Sequence, residues 1–252
     1  MALLLDDTFA TWPLTEAVRA NLIQGGFEFT FVEGLKADAV GPDDTALISS
    51  GELGSLQETH AVATHTAVVF DRTAPVALRS PVRPDGIERT PIQLIDVPSG
   101  GELLARATLD PFFGITPAGF FREPVEDAEA VVVGGAMALL PPEAGFSEDL
   151  GKAWYILTES AFVSHVLVVP KESSGESDLA FAALRSQAET SRRAIRGRIA
   201  DATGIEKEAL LALYQQTRFE LADTDRRALL LLLQLGNRLG EVGPYVSEIA
   251  FV

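Results

Sequence analysis

Two short stretches of this chain carry serine, glycine and glutamate in the same order at the end of an apolar run. The first is Ala46-Leu47-Ile48-Ser49-Ser50-Gly51-Glu52-Leu53, and the second is Leu94-Ile95-Asp96-Val97-Pro98-Ser99-Gly100-Gly101-Glu102-Leu103. Each reads as a buried strand, a Ser/Gly turn and the opening of a helix. Ser49 stands three residues before Glu52, and Ser99 three before Glu102. That is the capping-box spacing, in which the hydroxyl accepts a backbone N–H and the carboxylate reaches back to the cap. A helix start also presents free N–H groups and a positive dipole end, which together suit an anion. The pair therefore predicts two sub-structures closing on one anionic ligand. The plainer reading is two ordinary strand-to-helix turns.

Groups able to make or break bonds are scarcer. With no cysteine, disulfides, Cys-ligated zinc, Fe–S clusters and a Cys nucleophile are excluded. The histidines are His60, His65 and His165. A gap of five between the first two suits neither one helix face nor one strand face. No cofactor and no histidine metal site are expected. A carboxylate-only Mg²⁺ or Ca²⁺ site stays open, although no EF-hand loop is present. His165 is opposite in strand parity to Ser164, so one of the two faces any cleft there; a packed, hydrogen-bonded histidine is the plainer reading. A serine without a nearby His–Asp arrangement is not an activated nucleophile. Ser49, Ser50 and Ser99 fit better as carboxylate binders beside backbone donors. Gly100 and Gly101 have two readings: bare amides that approach an anion closely, or side chains lost from a site.

The elements that must hold these residues alternate. Residues 2–5 read as a strand, Pro13 through Gln24 as a helix stopped by Gly25, Phe27 to Val32 as a strand, 45–48 as a strand and Gly51 to Leu56 as a helix start. This β-α-β-β-α order argues for a parallel sheet with crossover helices. His60 to Phe70 is a long β-favouring stretch, followed by an extended, proline-rich one. A second set follows: strand 92–96, a helix from Gly101 and strand Ala130 to Val133. The segment from Pro141-Pro142 to Leu157 reads as loop and short helix, and Ala161 to Val169 as a second long strand. The rest is helical: 178–201 stopped by Gly204, 206–216, and a helix capped by Asp223 that runs to Leu239, with Gly240 as terminator. Two α/β sets joined by two long strands describe two lobes crossed twice by the chain, with the inter-lobe cleft as the default pocket. The expected limits are 1–72 with 167–252 for one lobe and 73–166 for the other.

The 252 residues are 47% hydrophobic, which supplies a sizeable core. The formal net charge of −16 opposes nucleic-acid binding. Arg192, Arg193, Arg196 and Arg198 point several ways on a helix and read as a solvated face. Met-Ala-Leu-Leu-Leu-Asp-Asp lacks a basic leader region, so a cytoplasmic location is expected. The leucine run Leu229 to Leu233 is too short to span a bilayer, and no membrane partner is expected.

Several segments in order resemble the menaquinone-biosynthesis family of chorismate dehydratase and the naphthoate synthase of the futalosine route. FATWPL (9–14) is similar to the family's Asn-x-x-Pro-Leu turn, and LISSGEL (47–53) to its Ser-Ser-Ile-Glu segment. IDVPSGGELLARATL (95–109) is similar to its Ser-x-Thr-Ser-x-x-Leu segment, and DAEAVVVGGAMAL (127–139) to its Ile-Gly-Asp strand. DLGKAWYILTESAFVSHVLVVPK (149–171) resembles its Asp-Leu-Gly-x-x-Trp…Thr-x-x-Pro-Phe-Val signature, and RFELADTDRRALLLLLQLGNRLGEV (218–242) its C-terminal segment.

The resemblance implies an α/β, two-lobed fold of the type 2 periplasmic binding proteins, with two crossover strands and C-terminal helices. It implies a small cyclic carboxylate held between the lobes by Thr11, Ser49, Ser50, Ser99, Gly100 and Gly101. If active, the chain would be a carbon–oxygen lyase. This chain departs from the family at Ala10 or Thr11 (for Asn), Gly100-Gly101 (for Thr-Ser) and Gly135 (for Asp). No catalytic base stands at the matched positions, although chorismate carries carboxylates of its own. The alternatives are a non-catalytic cytoplasmic binding protein for a small carboxylate, and a divergent paralogue with a structural or partner-binding role.

Overall fold

The computed structural model describes residues 2–23, 27–172, 176–238 and 240–252. Its eleven described strands make two sheets. The first contains β1 (Leu3–Asp6), β2 (Phe29–Val32), β3 (Thr45–Ser49) and β4 (His60–Phe70). The second contains β5 (Val76–Ser80), β6 (Arg89–Ile95), β7 (Thr116–Phe121), β8 (Ala130–Gly134) and β9 (Phe146–Asp149). The chain then returns to the first sheet with β10 (Phe162–Pro170) and β11 (Thr217–Arg218).

In the first sheet the order is β11-β4-β10-β3-β1-β2. The uninterrupted apolar runs take the middle, as strands covered on both faces must: every residue of β3 is buried, and all of β10 but its last. β1 is parallel to β2 and β3, while β10 is antiparallel to both β3 and β4. The parallel pairing expected of the first three strands is present, and the two long strands make the sheet mixed. The two long strands lie side by side in opposite directions, because one carries the chain out of the first sheet and the other carries it back. Pairing with β4 begins at Phe162, so residues 162–166 lie in the first sheet. The second sheet, ordered β7-β6-β8-β5-β9, is also mixed.

Helices cover the sheets: α1 (Trp12–Arg19), α2 (Leu53–Leu56), α3 (Ser99–Phe113), α4 (Gly135–Leu139), α5 (Leu150–Thr158), α6 (Glu176–Thr190), α7 (Arg192–Thr203), α8 (Lys207–Gln215) and α9 (Asp223–Gly236). The helix expected to Gln24 ends at Arg19, with Asn21 in the left-handed region, and Gln24 and Gly25 lie outside the described residues. The expected 178–201 helix breaks at Ser191. There the Thr190 hydroxyl donates back to the Ser186 and Gln187 carbonyls, and Gln187 bonds the Ser191 hydroxyl. Asp225 rather than Asp223 closes the start of α9, accepting the Ala222 N–H at 2.7 Å. That helix ends at Gly236, and Leu239 lies outside the described residues. Arg198 pairs with Glu16, and Arg192 bonds the Tyr214 carbonyl and covers the Phe219 ring. Among the described residues no helix is long and apolar enough to cross a membrane.

Candidate functional site

Asp6 is the last residue of β1 and Ser49 the last of β3, so both stand at the carboxyl end of the parallel strands. This is the end at which open α/β sheets bind ligands. β10 runs past it in the opposite direction, with His165 paired to Ser49. The ladder with β4 slips between Val163 and His165, leaving Ser164 as the extra residue of a bulge. A bulge breaks strict alternation. The parity expectation is corrected accordingly: Ser164 Oγ lies 3.0 Å from His165 Nδ1, so the two side chains meet. On the other side of the ring, His165 Nε2 is 3.1 Å from Asp6 Oδ2 and 3.3 Å from Thr8 Oγ1. Asp6 Oδ1 accepts the Leu35 N–H at 3.0 Å.

The two Ser/Gly turns meet directly. The Gly100 N–H donates to Ser49 Oγ at 2.8 Å, joining the end of β3 to the start of α3. Each turn needs a glycine for this approach. A Cβ on Gly51 would lie 2.6 Å from the Ser99 backbone carbon, and one on Gly100 would lie 2.5 Å from Ser50 Oγ and 3.0 Å from the Ser164 carbonyl oxygen. Beside the contact, the hydroxyls of Ser50 (0% exposed) and Ser99 (4% exposed) find no hydrogen-bond partner among the described residues.

Neither capping box forms. Ser49 Oγ is taken by Gly100, and Ser99 lies inside α3, whose cap is Pro98. Glu52 instead accepts from Lys36 at 3.0 Å and the Ala37 N–H at 3.1 Å. Glu102 accepts from Arg106 and Arg122, each at 2.9 Å. Both carboxylates are thus matched by cations and directed away from the junction. The first turn continues as a single 3₁₀ turn, Ser50–Glu52, and the one-turn α2. A helix this short sums little dipole, which removes the physical basis expected for an anion site at its terminus.

Of the expected binding residues, Ser49, Ser50, Ser99 and Gly100 come together. Gly101 turns the other way, where a Cβ would lie 2.9 Å from Val97 Cγ1 and 3.3 Å from Val76 Cγ2. The hydroxyl of Thr11 is committed to its own turn, donating to the Asp6 and Thr8 carbonyls and accepting the Thr8 N–H. Gly135 has φ +62° and would place a Cβ 3.2 Å from Phe9 Cβ. A side chain there would be strained, and its place is taken by the approach of the N-terminal turn. Sequence reasoning missed Asp6 and Thr8, and named Ser164 only as the alternative to His165. Asp6 had a signal, a carboxylate ending an apolar strand, whereas the bulge at Ser164 had none.

The other histidines are engaged elsewhere. His60 contacts the Asp44 carbonyl at 3.0 Å and the Thr59 hydroxyl at 2.8 Å, and His65 contacts the Thr66 hydroxyl at 3.0 Å. Among the described residues no group of three or more His, Asp or Glu side chains is arranged to hold a metal ion.

Compared by sequence, the chain matches no family profile and no curated protein. By structure it is similar to AF1704 from Archaeoglobus fulgidus, with TM-score 0.65 and 13% identity over 94% of this chain and 97% of that one. It is similar to the alkanesulfonate-binding protein SsuA from Xanthomonas axonopodis pv. citri bound to MOPS, with TM-score 0.62 and 11% identity over 100% and 98% of the two chains. A third neighbour is the Candida albicans CA3427 gene product, which defines a family with the generic periplasmic binding protein fold. The similarity there is TM-score 0.59 and 13% identity over 96% and 91%. This chain has that two-lobed α/β fold, of type 2. The likeness extends to architecture, and the chemistry must come from this chain's own residues.

Proposed function

We propose that this protein binds a small organic anion, a cyclic carboxylate in the first instance, at the junction of the Ser49–Ser50 and Ser99–Gly100 turns. The observation that carries the reading is the pair of buried, unpartnered hydroxyls on Ser50 and Ser99, one from each turn. A buried hydroxyl without a partner costs about 1–3 kcal/mol, and a carboxylate oxygen between the two turns would satisfy both. In this closed arrangement Ser49 Oγ occupies the Gly100 N–H that an anion oxygen would take when the turns part. SsuA, similar in fold, is an alkanesulfonate-binding protein, which supports a small anion as the ligand class.

A second reading is turnover of that acid by a chorismate dehydratase-like carbon–oxygen lyase. It is favoured by His165, a proton acceptor next in sequence to Ser164, whose carbonyl adjoins Gly100. A cytoplasmic location belongs to the same proposal. One set of samples tests both readings: purified protein with chorismate, followed by thermal melting and by the ultraviolet band of chorismate. A raised melting temperature with an unchanged band supports binding alone. Loss of the band with appearance of the enolpyruvyl-oxybenzoate supports the lyase. Neither change with chorismate sinks the lyase reading. No shift with chorismate, an aromatic carboxylate or a small sulfonate sinks the binding reading.

A further inference from the structure

Ser164, His165 and Asp6 form one hydrogen-bonded chain in which every member is buried. We propose that Ser164 is an activated hydroxyl nucleophile, with His165 as its base and Asp6 as a positioning residue, and that it cleaves small esters of carboxylic acids. A nucleophile within hydrogen-bond reach of a base that a third group orients is the arrangement acyl transfer requires, and it is recognised by geometry rather than by sequence order. Here Asp6 Oδ2 accepts the Nε2–H of His165 at 3.1 Å, which leaves the Nδ1 lone pair for the Ser164 hydroxyl at 3.0 Å. The Leu35 N–H holds the other carboxylate oxygen at 3.0 Å, so the orienting group is itself fixed. Thr8 Oγ1, 3.3 Å from Nε2, limits rotation of the ring.

The inference rests on the ligand-site reading in one respect: substrate reaches Ser164 only when the two turns part. Ser164 adjoins the junction, its carbonyl oxygen 3.0 Å from where a Gly100 Cβ would be. On parting, the Gly100 N–H released from Ser49 becomes a donor for the developing oxyanion. Oγ bonds to the acyl carbon as its proton passes to Nδ1. The ester C–O bond breaks, and the leaving alcohol takes that proton. Water then attacks the acyl carbon, giving a proton to Nδ1. The Ser164 Oγ–acyl bond breaks, and Oγ takes the proton back as the carboxylic acid departs. The product belongs to the same chemical class as the ligand proposed for the junction.

The test uses diisopropyl fluorophosphate on the full chain, read by intact mass and peptide mapping. The expected result is a single adduct on Ser164 with loss of fluoride. The adduct is absent in Ser164→Ala and forms at least about tenfold more slowly in His165→Gln and in Asp6→Asn, with folding of each variant checked by melting. Alkylation of Ser164→Cys by iodoacetamide separates access from activation. An unlabelled Ser164 in the wild type overturns the inference whether or not Cys is alkylated, because both access and activation are required. Equal labelling rates in folded His165→Gln also overturn it. Labelling needs no bound acid. A chain that takes the adduct but ignores every acid therefore refutes the binding reading alone, and the reverse pattern refutes this inference alone.

Discussion

Ser49 and Ser50 are adjacent, but only Ser49 has its hydroxyl bonded. Ser49→Ala strands the buried Gly100 N–H and is expected to lower unfolding free energy by about 1–3 kcal/mol. Ser50→Ala and Ser99→Ala remove hydroxyls that bond nothing among the described residues. Both are expected to leave stability within about 0.5 kcal/mol or raise it, while weakening ligand binding. Urea unfolding of the three variants checks the contrast, and equal losses in all three would refute it. Gly51→Ala presses a methyl onto the Ser99 backbone. Overpacking of this kind costs about 1–3 kcal/mol, so its melting temperature should fall although the residue lies in a turn. At this scale the serines and Gly100 were legible because Ser, Gly and Glu after an apolar run are local signals. Which atoms they bond was not, since the Ser49 partner lies fifty-one residues away. Spacing alone pointed to Glu52 as the group reaching back to the cap, whereas the structure gives its carboxylate to Lys36.

The elements carry the site through their ends and irregularities. β3, β4 and β10 were legible because each is a long or fully apolar run, the pattern of a central strand. β5 and β9 were missed, because Pro75 and Pro81, and then Pro141-Pro142, made their surroundings look merely extended or looped, and β7, with Pro117 inside it, lies like β9 at a sheet edge. The 149–158 segment shows how an element end adds chemistry. Asp149 caps α5, accepting the Lys152 N–H at 3.1 Å, and ties it to the segment leading into β5 by accepting the Ala74 N–H at 3.1 Å and the Thr73 hydroxyl. Burial pushes its carboxyl up from the ordinary 3.8, against the hydrogen bonds that pull it down. A carboxyl with a raised folded-state pKa binds its proton more tightly in the native state. Its contribution is therefore greatest at low pH and is lost as pH rises from about 3.8 through the folded value. Asp149→Asn should remove that decline, flattening urea stability against pH over this window. A slope unchanged from wild type would contradict the assignment. At the start of α9, Asp225 holds Arg218 through bonds of 2.7 and 3.0 Å while capping Ala222. Asp225→Ala is expected to cost about 1–3 kcal/mol, read by the same unfolding assay.

For the molecule as a whole, two mixed sheets meet at the turn junction and at the Phe9–Gly135 approach. Arg106 on α3 also reaches Glu241 just beyond α9, so the C-terminal segment braces the second sheet's principal helix. Small residues at 51, 100 and 135 let the halves close to this degree. The net charge of −16 opposes an approaching anion. Salt screens that repulsion, so the association rate of an anionic ligand is expected to rise with ionic strength, the reverse of steered binding. Stopped-flow traces at low and moderate salt check the sign, and a falling rate would contradict it. The central claim, that the two unpartnered hydroxyls await a small acid, is tested most directly by titration calorimetry. Chorismate, benzoate and a small alkanesulfonate are titrated in turn into the wild type and into the Ser50→Ala/Ser99→Ala double variant. The account expects one saturable site for at least one of these acids in the wild type. It expects affinity in the folded double variant to be weaker by at least about tenfold, or about 1.4 kcal/mol. Equal affinity in both proteins, or no binding of any of the three to the wild type, would contradict it.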